Sequence, residues 1–173
     1  MDTNHCDLVD IKTPLPASFR ELHSLWDTWR DGAAMPHIKQ FYIDQVPTSL
    51  LPWSVMVEIV DNDGARDYLF RFWGTERVTL IGAEMTGRLL SEIEDKSMRE
   101  GNLAEYEDVC ARGTPLLCTT PVTVSLGRPM SIVSLRLPIA DAAGNIARIF
   151  STTDPSTISA MHYDHFGTHP SYL

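Results

Sequence analysis

Six histidines, three cysteines and scattered carboxylates are the side chains from which this sequence would have to build a reactive centre. The histidines are His5, His23, His37, His162, His165 and His169, so residues 38–161 contain none. A Ser–His or Cys–His dyad needs its base beside its nucleophile, and here the base would have to come from one end of the chain. Tyr106 and Asp108, the central phenol–carboxylate pair, lie two apart in a stretch that reads as helix, which turns them to different sides. Gly82, Gly87 and Gly101 form no GxGxxG, and there is no Gly-Lys-Ser or Gly-Lys-Thr phosphate loop. Cys6, Cys110 and Cys118 cannot all pair and match neither a CxxC redox pair nor a zinc knuckle, so the cytoplasm is the simpler expectation. The densest group of metal-ligand types is His162, Asp164, His165 and His169. Gly167 and Pro170 interrupt any helix that would preset its geometry, and a solvated tail without metal is expected. The pattern as a whole points away from catalysis.

The bulk properties bound the partners. At 173 residues the chain has the length of about one domain, and 43% hydrophobic residues suffice for a sizeable core. Twenty-three acidic against 14 basic residues leave a formal charge of -9, which repels phosphate backbones and anionic lipid, so neither nucleic acid nor membrane is an expected partner. No apolar run approaches the roughly eighteen residues of a membrane span, and the acidic first sixteen residues do not resemble a secretory signal.

Side-chain periodicity gives the elements. Phe19, Leu22, Trp26 and Trp29 recur at helical spacing after a Ser18–Glu21 capping box, with Gly32 as the stop. That apolar stripe suits either the flank of a domain or a homodimer interface. Trp53, Val55, Val57 and Ile59 alternate with Ser54, Met56, Glu58 and Val60, and Asp61-Asn62-Asp63-Gly64 supplies turn chemistry. The returning strand is expected to put Tyr68, Phe70 and Phe72 on one face and Leu69, Arg71 and Trp73 on the other, with Thr75 capping a short helix. Residues 97–112 read as the main helix, ending at Gly113. Residues 114–126, 128–139 and 145–152 read as three further strands, and Pro121 argues for an edge or bulge in the first of them. Residues 1–16 are expected to be irregular.

The order Leu51-Pro52, apolar strand, acidic-Gly turn, Phe72-Trp73-Gly74-Thr75 and then Thr86-Gly87-Arg88 resembles the small stand-alone PAS-domain proteins of bacteria over residues 38–155. The resemblance implies an α+β fold with a five-stranded antiparallel sheet and helices on one face, plus the N-terminal flanking helix. It divides the chain into an N-terminal extension (1–34), a PAS-like domain (35–155) and a C-terminal tail (156–173). It also implies a sensory role, exerted through a dimer formed by the N-terminal helix or through a separate signalling protein. Phe70, Phe72, Tyr106, Cys110, Val133, Leu135 and Leu137 are the expected lining of a small-molecule pocket, with Thr119, Ser134 or Arg71 as polar anchors. The ligand itself is unknown. Haem would lack the histidine it usually takes from the central helix, and the Asn-Cys-Arg-Phe-Leu motif of covalent flavin binding is missing. The alternatives are an interaction module with a filled core and, in another class, a small α+β cone hydratase or isomerase.

Overall fold

The computed structural model describes residues 5–8, 13–124 and 128–156. Helix α1 (Ala17–Arg30) buries the Phe19, Leu22, Trp26 and Trp29 stripe completely within the chain. At about 2 kcal/mol for each large apolar side chain, this is a substantial anchor. The indole N–H of Trp26 donates to the Pro138 carbonyl at 2.9 Å, and that of Trp29 to Gln45 Oε1 at 3.0 Å. The stripe therefore covers a flank of its own domain. The Ser18 capping box does not form: Pro16 precedes the helix, and Ser18 falls inside the first turn.

Three 3-10 turns (Ile38–Gln40, Ile43–Gln45 and Leu51–Trp53) lead into the hairpin of β2 (Ser54–Asn62) and β3 (Ala65–Trp73). Helix α2 (Thr75–Ile81) and a further 3-10 turn (Leu90–Glu92) precede α3 (Lys96–Arg112), whose first turn is capped by the Asp95 carboxylate accepting from Met98 N at 2.8 Å. Strands β4 (Leu116–Val124), β5 (Arg128–Ala140) and β6 (Ile146–Thr153) follow. The sheet is antiparallel throughout, in the order β1 (His5–Leu8), β4, β5, β6, β2, β3. Its sixth strand, β1, lies in the segment expected to be irregular and pairs with the edge of β4. Cys6 faces Cys118 in that pairing and is disulfide-bonded to it. With two of the three cysteines joined, cysteine usage no longer argues for a reducing compartment.

Both faces of the sheet are covered. One core packs α1 against Met56, Leu135, Leu137, Ile139 and Phe150; the other packs the α3 side against Val55, Val57, Tyr68, Phe70, Trp73 and Ile149. Partition of β3 between them differs from simple alternation. Val57 pairs with Phe70 and Met56 with Phe72, so Arg71 is an extra residue in β3. Such a bulge reverses the side-chain parity beyond it. Phe72 is thereby sent to the α1 side, and Trp73 joins Phe70 on the α3 side, their rings edge-on at 5.0 Å.

Gly74 makes the close approach that ends the hairpin. A Cβ there would lie 2.2 Å from the Pro52 carbonyl oxygen and 2.7 Å from that of Leu51, while Gly74 N donates to Ser54 O at 2.8 Å. The Leu51-Pro52 and Trp73-Gly74-Thr75 segments, 20 residues apart in sequence, are thus in backbone contact.

Candidate functional site: a polar cluster between the sheet and helix α3

In β5, Leu135 and Leu137 point to α1, so Ser134 and Arg136 must point to α3. An arginine on that face is buried under a helix, and burial of a charge is tolerated only with a partner. Arg136 has several. Its Nε donates to Glu105 Oε2 at 2.7 Å and Nη2 also reaches that oxygen; Nη1 donates to Ser151 Oγ at 3.0 Å and Nη2 to Asn102 Oδ1 at 3.1 Å. The guanidinium lies 4.5 Å from the centre of the Tyr106 ring. Glu105 in turn accepts from Thr120 Oγ1 at 2.6 Å. Helix α3 supplies Asn102, Glu105 and Tyr106 at three- and four-residue intervals, which is one helical face.

Arg77 of α2 enters the same region. Its Nη1 donates to Thr153 Oγ1 at 2.9 Å, and that hydroxyl lies 3.1 Å from Ser134 Oγ. The guanidinium stands 5.3 Å from the centre of the Trp73 ring. Two donors here are buried without an acceptor among the described residues, Arg77 Nε and Trp73 Nε1. Burial pushes the Arg77 pKa down to about 10; the Arg136 charge acts in the same direction, and Tyr106 and Glu105 oppose it. Chemically, the cluster can accept hydrogen-bond acceptors, anionic ones above all. Leu80, Ile132, Trp53 and Ile81 form a small separate apolar group on the same side.

The seven residues expected to line one pocket are divided by the sheet. Phe70, Tyr106 and Cys110 lie on the α3 side, whereas Phe72, Val133, Leu135 and Leu137 pack on the α1 side. For Phe72 the cause is the bulge at Arg71; for the β5 residues it is the strand parity that sends Arg136 inward. Cys110 is half-buried, 3.7 Å from Tyr68 Oη, with its thiol pKa raised by burial. Tyr68 donates to Glu107 at 2.6 Å, and burial likewise raises its pKa. Of the polar anchors considered, Ser134 is in the cluster. Arg71 instead pairs with Glu58 at 2.9 Å on the exposed side of the hairpin, and Thr119 pairs with Val133 across the strands. Tyr106 and Asp108 are not brought together, because Asp108 pairs with Arg112 at 2.7 Å. The tail group of His162, His165 and His169 lies outside the described residues.

Sequence reading missed Arg77, Trp73, Glu105 and Arg136. The available signal was Arg136 itself, a charge in the middle of a strand whose neighbours on both sides are apolar.

The profile of the PAS domain matches residues 15–153. The chain belongs to the PAS domain family. No curated protein matches it. Among solved structures, it is similar to an RNA-binding light-oxygen-voltage receptor, at 12% identity and a TM-score of 0.47, over 96% of this chain and 45% of that one. It is also similar to Vibrio cholera VqmA in a complex with ligand and DNA, at 13% identity and a TM-score of 0.47, over 77% and 60% of the respective chains. This PAS chain thus spans about half the length of those proteins. Its sheet and helices agree with the PAS-like α+β architecture, extended by β1 at one edge. Among the described residues no helix is long and apolar enough to cross a membrane.

Proposed function

We propose that this PAS domain is a sensory module that takes up a small molecule on the α3 side of its sheet, without catalytic turnover. The observation that supports this reading is the pair of orphaned donors, Arg77 Nε and Trp73 Nε1. Buried polar groups in native proteins are nearly always hydrogen-bonded, and leaving one unmade costs about 1–3 kcal/mol. Two such groups side by side suit an acceptor supplied from outside. The signal would pass through the sheet, because β5 carries Ser134 and Arg136 on the ligand side and Leu135 and Leu137 against α1. A ligand acts only by its difference in affinity for two packings of that helix.

The indole N–H protons provide the test. In a nitrogen-15 NMR spectrum, a deproteinised small-molecule extract should move the Trp73 indole signal, assigned with Trp73→Phe, as its N–H gains an acceptor. Trp26 and Trp29, already bonded, should move less. An unmoved Trp73 signal would favour the interaction module with a filled core.

A further inference from the structure

Two arginines are buried on the α3 side of the sheet, and they are treated differently. Arg136 is answered by the Glu105 carboxylate. Arg77, only 7% exposed, forms no ion pair with a carboxylate among the described residues; the side-chain bond it makes is to a neutral hydroxyl, that of Thr153. Asp154, the buried carboxylate that follows β6, accepts from Ser156 N and Oγ at 2.9 and 2.8 Å. The cluster of Arg77, Arg136 and Glu105 therefore carries two guanidinium charges against one carboxylate. A buried charge is ordinarily paired, and a guanidinium pairs best with a planar two-oxygen acid.

The surroundings of Arg77 specify more than charge. Trp73 places a second unsatisfied donor beside it. Leu80 follows Arg77 by three residues on α2, and Ile132 precedes Ser134 by two on β5, so each lies on the same side of its element as the polar group. These two residues pack together with Trp53 and Ile81. A charged point beside an apolar wall fits a molecule with an acidic end and a hydrocarbon body.

Resting on the ligand-binding reading above, we propose that Arg77 and Trp73 receive the carboxylate of a small organic acid whose apolar part lies against Leu80 and Ile132. Thr153 and Ser134 hold the Arg77 guanidinium in position.

Thermal unfolding of the full chain tests this with acetate, butyrate, benzoate and succinate, each beside its uncharged amide, and with inorganic phosphate. At least one acid should raise the wild-type Tm saturably, with an apparent affinity at least tenfold above that of its amide and of phosphate. Arg77→Met should abolish that response, and without added acid its Tm should equal or exceed that of the wild type, because an unanswered charge has been removed. Trp73→Phe, which keeps the ring and deletes the donor, should weaken the response several-fold. Equal responses to acids and amides would overturn the acid assignment while leaving the binding site standing, and a response to phosphate matching that to the acids would overturn it equally. An unaltered response in Arg77→Met would overturn the role of Arg77. No response to any compound, together with an Arg77→Met protein melting well below wild type, would make Arg77 a structural residue and remove both the acid and the site.

Discussion

Arg136 and Arg77 show how differently one residue type behaves at two buried positions on the same side of the sheet. Arg136 is held by Glu105, Asn102, Ser151 and the Tyr106 ring, so its charge belongs to the folded structure. Removing one partner of such a buried pair leaves the other uncompensated, at a cost of about 3 to 5 kcal/mol. Glu105→Ala should therefore lower stability in urea unfolding by that amount, and Glu105→Leu combined with Arg136→Met should recover most of it. Additive losses in the double variant would show that the two side chains do not act as a pair. Little of this was legible beforehand. The apolar alternation of β5 was plain, but which of its faces met α3 was not, and a one-residue ambiguity exchanges every side chain between faces. Leu135 and Leu137 were accordingly expected on the α3 side, where Arg136 lies instead.

At the scale of elements, the hairpin and α3 were readable because turns, caps and periodicity agreed. Asp63 and Gly64, both at positive φ, make the turn, and Gly113 closes α3 in the left-handed conformation at a φ of 64°. The bulge at Arg71 was not readable, since an extra residue in a strand has no signature in apolar alternation, and it alone moved Phe72 away from Phe70. Gly74 explains why the Leu51-Pro52 and Trp73-Gly74-Thr75 pieces occur together: the second backbone lies on the first. Gly74→Ala should cost about 3 kcal/mol or more through that overlap with main-chain atoms, measured as a fall in the urea midpoint. A loss under about 0.5 kcal/mol, typical of an unconstrained surface site, would mean that the turn yields readily. The expected capping box at Ser18 fails because Pro16 takes the N-cap position and the helix begins at Ala17, which leaves Ser18 inside the first turn.

For the whole molecule, the strand order β1-β4-β5-β6-β2-β3 puts α1 on one face and α3 on the other, with the polar cluster between the sheet and α3. The PAS architecture was legible from element order and motif, whereas β1 and the Cys6–Cys118 bond were not, because that pairing joins residues 112 apart in sequence and no local spacing announces it. In the proposed sensory reading, the site lies on one side of the sheet and α1 packs on the other, against the same strands. The proposed site holds a small molecule on the α3 side at Arg77 and Trp73. Native mass spectrometry of the full chain purified without added ligand, run beside Arg77→Met, tests this most directly. The expected result is an adduct of defined mass on the wild type that is missing from the variant. A bare chain mass for both proteins, or the same adduct on both, would contradict it.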